Sequence, residues 1–195
     1  MHCLAHNLNL CLEDVTIACD MVRNVMDFIY NLVQLIRFSP KRLTLFDTLR
    51  KEVGVNSGDT TPSLRMLCPT RWTVRHASIN SIVRNYQTLQ TALEEIQQGH
   101  DEYAAKASGL LARMEQFDTF FSLKLAYLVF YAAEQLSINL QAKDTTIQEA
   151  IKGAELLTTH LKSLRNDAHF ERFYDGVYQD CRNLTEEPLS KGSRH

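Results

Sequence analysis

Cysteine and glycine are scarce in this sequence, and each scarcity excludes a class of protein. The five cysteines are odd in number and include no Cys-x-x-Cys pair, so the sequence lacks the disulfide framework of small secreted proteins and favours a reducing compartment. The seven glycines are scattered, which excludes a glycine-rich phosphate-binding loop. No Gly-x-Ser-x-Gly or His-Glu-x-x-His motif occurs, so no familiar hydrolase or metalloprotease site is indicated.

The sequence also has little net charge and no long uninterrupted hydrophobic run. The formal net charge is −2, which does not support a protein that coats nucleic acid through overall positive charge. The longest apolar stretch, residues 120–133, is interrupted by Ser122 and Lys124 and is too short to span a bilayer. We therefore expect a soluble intracellular protein without a membrane partner, in which any DNA contact comes from a local patch.

The positive signal is helical periodicity, which continues nearly throughout the chain without an alternating strand pattern of useful length. The pattern predicts an all-α domain of about seven or eight helices over residues 1–184. Residues 185–195, which include Pro188 and Gly192, are predicted to form a disordered tail.

Local signals predict several helix ends. Ser39-Pro40 predicts an N-cap followed by the first residue of a helix, and Gly54 predicts the end of that helix. The Pro-, Ser- and Thr-rich residues up to Pro69 are predicted to be a loop. One continuous helix is predicted from Thr70 to Gly99, and the run Thr145–Gln148 predicts a capping box at the start of another.

The segment Cys68–His76, with the sequence CPTRWTVRH, holds the only tryptophan of the chain. It lies at the start of a predicted helix, where free N–H groups and a partial positive charge favour an anion such as phosphate. Arg71 and Arg75 share one side of that helix, and Trp72 offers a flat surface to an exposed base. The alternative is a capped helix whose Trp72 belongs to the core and whose basic residues form a solvated face.

Cys3 and His6 lie one turn apart in the first predicted helix, and both are residue types that bind zinc. A zinc site needs three protein ligands even when it is catalytic, and four when it is structural. No second ligand pair occurs at zinc-finger spacing. We therefore predict a buried thiol beside a hydrogen-bonded imidazole, with no metal ion and no other cofactor.

Three stretches, in this order along the chain, resemble conserved elements of hAT-superfamily transposases. Cys3–Leu10 (CLAHNLNL) resembles their CxxH-x-LNL signature, and Cys68–Trp72 (CPTRW) resembles their TRW element. Leu136–Asp144 (LSINLQAKD) resembles their LS-xx-LQ-x-KD block. The strings CPTRWTVR and KDTTIQEA are most similar to domesticated, transposase-derived proteins of the zinc-finger MYM-type group. The resemblance covers residues 2–187.

The resemblance implies the helical insertion domain of an RNase H-like transposase, with the catalytic α/β core largely missing. Such transposases bind a divalent metal through an Asp-Asp-Glu triad, whose aspartates would precede Cys3 and whose glutamate would follow this chain. The implied protein is a non-catalytic fragment or truncated derivative, not an enzyme, and a nuclear one. Residues 1–15, with Cys3 and His6, would be the junction helix that packs on the missing core. Arg71, Trp72 and Arg75 would retain DNA contact.

Two other interpretations remain open from the sequence. The chain could be a helical protein–protein interaction module with no nucleic-acid role, or the catalytic half could be encoded upstream. Its expected partners are accordingly DNA, another protein or the missing RNase H-like core. None of the interpretations predicts a small-molecule substrate.

Overall fold

The chain is helical in nearly all the residues that the structure describes, which confirms the predicted all-α class. The computed structural model describes residues 4–57, 61–67, 75–142 and 146–187. Nine helices lie within these ranges: α1 (Leu4–Ala18), α2 (Asp20–Arg37), α3 (Pro40–Ser57), α4 (Arg75–Val83), α5 (Tyr86–Gln97), α6 (Glu102–Met114), α7 (Phe117–Leu140), α8 (Ile147–Ser163) and α9 (Asp167–Cys181).

Helix ends follow the sequence signals with three corrections. The helix predicted from Thr70 to Gly99 is divided at Arg84-Asn85, which gives α4 and α5 in place of one helix. Helix α3 begins at Pro40 as predicted but continues through Gly54 to Ser57, since an interior glycine weakens a helix without necessarily ending it. The capping box is one residue further along: Thr146 accepts from the Glu149 backbone, and the Glu149 carboxylate accepts from the Thr146 N–H.

Helices α2 and α7 supply two walls of the hydrophobic core, and α4 and α5 supply a third. The apolar side chains of α2 recur at helical spacing on its buried face, as expected for a helix that packs along one side. The most completely enclosed residues of the core include Phe28, Ile29, Leu32, Ile36, Phe46, Ile79, Ile82, Leu89, Leu93, Met114 and Leu123. None of the helices in the described ranges is both long and apolar enough to cross a membrane.

The buried tyrosine Tyr86 connects α5 to α6 and α7. Its ring meets that of Phe120 edge-on with centroids 4.9 Å apart, a favourable aromatic geometry. Its hydroxyl donates to the Met114 carbonyl oxygen at 2.8 Å, so the polar end of the ring is satisfied inside the core. Burial raises the pKa of Tyr86 far above its ordinary value, and the ring therefore stays neutral.

Helix α8 approaches α7 closely but buries little of its own apolar surface. A Cβ added to Gly153 would lie 2.8 Å from Leu136 Cδ1 of α7, so the absent side chain permits the contact. Ala150, one turn earlier, is buried, whereas Ile147 is 64% exposed and Ile151 is 55% exposed. The apolar side chains of this helix are therefore only partly covered.

Helix α9 lies against α7 through aromatic side chains and one ion pair. Phe173 meets Phe121 edge-on with centroids 5.5 Å apart, and Lys124 Nζ lies 2.8 Å from Asp180 Oδ2. The chain remains attached beyond the helix, because the Glu186 N–H donates to the Glu115 carbonyl oxygen at 2.7 Å. The start of the predicted tail is thus held to the helical domain, and residues 188–195 lie outside the described residues.

Candidate nucleic-acid interface at the start of helix α4

Residues Thr61–Leu67 form a segment of irregular backbone between α3 and α4, which we call the strap. Leu64, at its middle, is buried in the hydrophobic core. A buried loop needs partners for its backbone polar groups, since no helix or sheet provides them. The strap therefore requires side chains from the surrounding helices, and the structure supplies them from both sides.

Two arginines hold the strap from α2 and α3. Arg37 Nη1 donates to the Leu64 carbonyl oxygen at 2.6 Å, and Arg50 Nη1 donates to the Thr61 carbonyl oxygen at 2.7 Å. Hydrogen bonds from a charged donor are roughly twice as strong as neutral ones. Arg37 and Arg50 are therefore at least partly engaged with the strap and are not simply surface charges.

Two serines hold the strap from α4. Ser78 Oγ donates to the Met66 carbonyl oxygen at 2.8 Å, and Ser81 Oγ accepts from the Arg65 N–H at 3.2 Å. Both serines are buried, in a helix whose neighbouring positions Ile79 and Ile82 belong to the apolar core. Ser78 and Ser81 therefore form a polar stripe that binds backbone and is not exposed to solvent.

Asn85 joins the first half of the strap to the break between α4 and α5. Its Nδ2 donates to the carbonyl oxygens of Pro62 at 2.8 Å and Ser81 at 2.6 Å. Its Oδ1 accepts from Thr61 Oγ1 at 2.7 Å. Asn85 is only 1% exposed, so these bonds replace water entirely. At the break the Asn85 N–H donates to the Ile82 carbonyl oxygen, three residues earlier, and the Asn85 side chain supplies the partner that the Ser81 carbonyl oxygen would have had in a continuous helix.

His76, in the first turn of α4, contacts Glu134 of α7 through its Nδ1. The ring lies beside two stacked tyrosines, with centroid distances of 6.1 Å to Tyr127 and 5.7 Å to Tyr131. Burial lowers the pKa of His76, Glu134 opposes that effect, and the positive charge of Arg65 lowers it further. The His76–Glu134 contact therefore fixes the start of α4 to α7, while burial and Arg65 together favour a neutral imidazole.

A cleft of about 470 Å³ opens beside this contact. Its lining includes Arg65 of the strap, His76 and Asn80 of α4, and Glu134 of α7. Arg65 is exposed, so its guanidinium provides a positive charge at the edge of the cleft. The segment 68–74, which contains the TRW element, follows Leu67 in the sequence and lies outside the described ranges.

The chain matches a known family over more than half of its length. The family model described as the ZBED1 RNase-like helical domain matches residues 1–115, more than half of the chain. The chain belongs to this family. No curated protein and no solved structure matches the chain.

The ZBED1 RNase-like helical domain, as matched, includes α1 to α6 and therefore the strap, the polar stripe of α4 and the break at Asn85. Helix α7 lies beyond the matched residues, yet Glu134 contacts His76 and Phe120 contacts Tyr86. The packing thus continues without interruption from the matched residues into the second half of the chain.

The site residues predicted from sequence are described only in part. Arg71, Trp72 and Cys3 lie outside the described residues. Arg75 begins α4 and is only 7% exposed, which leaves little of its side chain for a phosphate. His6 is exposed on α1, and its role at the junction with the missing core stays a prediction. Among the described residues, no group of three or more His, Cys, Asp or Glu side chains could hold a metal ion.

Sequence reasoning missed the residues that fix the backbone before and after the segment 68–74. We call these residues the frame: Arg37, Arg50, His76, Ser78, Ser81, Asn85 and Glu134. The spacing of Ser78, Ser81 and Asn85, at i, i+3 and i+7, places three polar residues on one side of a helix. That side also carries Ile82, so a polar stripe within an apolar face was visible in the sequence. Glu134 gave no such signal, because its partner His76 lies far away in the chain.

Proposed function

We propose that this chain is a non-catalytic derivative of a hAT transposase-like protein that retains DNA binding through Arg71 and Trp72. The observation that carries the proposal is the frame on both sides of the TRW segment. The strap holds the chain up to Met66, and the His76–Glu134 contact fixes the start of α4. A binding segment presented by a fixed frame loses less conformational entropy when it meets a ligand.

Electrostatics support an anion beside this segment. Arg65 is exposed in the strap and lies close enough to His76 to lower its pKa. Together with Arg71 it would supply two charges for phosphate contacts, and Trp72 would supply a surface on which a base can stack. Arg75, being buried, would contribute mainly by fixing the helix start.

The non-catalytic part of the proposal rests on the motif resemblance. The residues that match hAT elements include the CxxH, TRW and LS-xx-LQ-x-KD motifs, and none of them corresponds to the Asp-Asp-Glu triad. The same resemblance supports a domesticated origin close to the zinc-finger MYM-type group, and a nuclear location. The family match, over residues 1–115, includes the first two of these motifs and supports the helical domain in which they lie.

The emission of Trp72 tests the proposal directly, since no other tryptophan contributes. We expect a short DNA hairpin to shift the emission and to reduce quenching by acrylamide. Arg71→Gln should weaken hairpin binding several-fold and lower its salt dependence, because one phosphate contact is lost. Lys152→Gln, a charge change on the exposed surface of α8, is the matched control. Trp72 emission that does not respond to the hairpin would contradict the proposal.

A helical protein–protein interaction module is a second candidate, favoured by the apolar surface of α8. Ile147 and Ile151, one turn apart, are each more than half exposed there, and neighbouring exposed apolar side chains often mark interaction sites. This candidate predicts that Ile151→Glu abolishes binding of a protein partner and leaves hairpin binding unchanged. Loss of hairpin binding in Arg71→Gln with an intact α8 surface would favour the DNA proposal.

A further inference from the structure

A second cleft lies between α2 and α6, far along the chain from the TRW segment. It encloses about 510 Å³, and the start of α3 closes one side. We call it the α2–α6 cleft and define it by the residues that matter for its chemistry: Gln34, Phe38, Arg42, Tyr103, Lys106 and Arg113.

Three positive charges converge on this cleft. The Arg42 guanidinium lies 4.2 Å from the centroid of the Tyr103 ring, and Lys106 Nζ lies 5.1 Å from the same centroid. Arg113 also lines the cleft, with its guanidinium 5.0 Å from the Phe28 ring centroid. Cation–π contacts hold these groups in place while their charges remain.

No carboxylate among the residues that line the cleft offsets these charges. The nearby Glu102 lies 3.9 Å from Lys106 Nζ, with both side chains exposed, and an exposed pair of this kind contributes little. The protein as a whole is slightly acidic, so the local excess of positive charge is not a general property of its surface. The cleft is therefore complementary to an anion.

A flat apolar surface accompanies the positive charge. Phe38, the C-cap residue of α2, is 65% exposed although it lines the cleft. Tyr103 is also exposed at the rim. Gln34 donates to Tyr30 Oη at 2.9 Å, and its amide has a second N–H and two acceptor lone pairs for further hydrogen bonds. Charge, ring and amide together match a ligand that is both anionic and planar.

We propose that the α2–α6 cleft binds single-stranded nucleic acid, with Arg42, Lys106 and Arg113 contacting phosphates and Phe38 stacking on a base. A nucleotide joins an anion to a planar base in one unit, which is the combination that this cleft offers. A duplex fits less well, because its bases are already stacked and cannot cover Phe38. A phosphopeptide could pair its phosphate with the cations, but it does not in general carry a planar group that stacks on the exposed Phe38 ring. The residues that define this cleft do not include the TRW segment, and the proposal does not depend on the role of that segment.

Fluorescence anisotropy with a labelled oligothymidylate of about 15 nucleotides tests this site, since single-strand binding sites are typically no longer than that. Phe38→Ala should weaken binding about 5-fold or more, the effect of removing one stacked base. Lys106→Gln should reduce the slope of log affinity against log salt by about 0.7, the value for one phosphate contact on a single strand. Both side chains are largely exposed, so circular dichroism should show that the variants stay folded.

Matched variants separate this site from the one proposed around Trp72. Lys152→Gln on α8 should leave both the affinity and the salt slope unchanged. If Arg71→Gln abolishes oligonucleotide binding while Phe38→Ala and Lys106→Gln do not alter it, the α2–α6 proposal is overturned and the TRW proposal stands. The reverse result supports the cleft alone. Equal competition by a phosphotyrosine peptide or by a duplex of the same length would also overturn the proposal.

Discussion

Replacing Asn85 with alanine should loosen the strap and destabilise the domain. The variant loses the three hydrogen bonds, between 2.6 and 2.8 Å, that Asn85 makes with Thr61, Pro62 and Ser81. A hydrogen bond contributes about 1 kcal/mol net, and an unpaired buried group costs more. Because Thr61 and Pro62 are only half-buried, water can reach their freed groups. We therefore expect a loss of about 2–3 kcal/mol.

Urea unfolding followed by circular dichroism would measure that loss, and tryptic cleavage after Arg65 would report on the strap itself. Faster cleavage is expected because a strap released from Asn85 opens more often. Gln90→Ala is the matched control: its amide makes one hydrogen bond, to the Leu184 carbonyl oxygen at 2.7 Å. The control should cost about 1 kcal/mol or less and leave cleavage after Arg65 unchanged.

A small loss of unfolding free energy in Asn85→Ala would refute this reasoning. If Asn85→Ala costs less than about 0.5 kcal/mol, below the ordinary range for even one hydrogen bond, and cleavage after Arg65 does not change, Asn85 does not hold the strap. The frame around the TRW segment would then depend on the arginine and serine contacts alone.

Two further predictions concern acid stability and helix packing. Burial lowers the pKa of His76 below 6.5 in the folded state, so the unfolding free energy should be highest above about pH 6.5 and fall as the pH drops through the folded-state pKa. Urea unfolding of His76→Gln should show a smaller fall. A pH profile identical to that of the unsubstituted protein would contradict this prediction. Gly176→Ala should raise the unfolding free energy by about 0.5–1 kcal/mol, since nothing lies within 4 Å of the added Cβ. Gly153→Ala should gain less or lose stability because its Cβ would press on Leu136; equal changes in melting temperature would argue against the close contact.

Most of the fold could be predicted because its signals are local. The capping serine before Pro40 and the buried stripe of α2 depend on spacing within one helix. The break at Asn85 could not be predicted in the same way, since its partners Thr61 and Pro62 come from a separate loop. The prediction that the helix ends at Gly54 was wrong, because glycine ends a helix only when the backbone leaves the helical conformation there.

The candidate site was less predictable than the fold. The TRW segment stood out through its composition and its resemblance to hAT transposases, and its contact with DNA remains a prediction. The residues that frame it did not stand out, because Arg37 and Arg50 look like any exposed arginine until the carbonyl oxygens they bind are known. Periodicity also could not show that Ile147 of α8 would stay exposed, since that depends on how α7 approaches.

The contact between Tyr86 and Phe120 bears on how this family should be produced in the laboratory. A recombinant protein ending at residue 115, where the family match stops, would lack α7 and leave the Tyr86 ring without the aromatic neighbour that covers it. Exposed apolar surface of that kind promotes aggregation. Expression boundaries for such domains are therefore better chosen from the far end of the helices that cover Tyr86 than from the limits of sequence similarity.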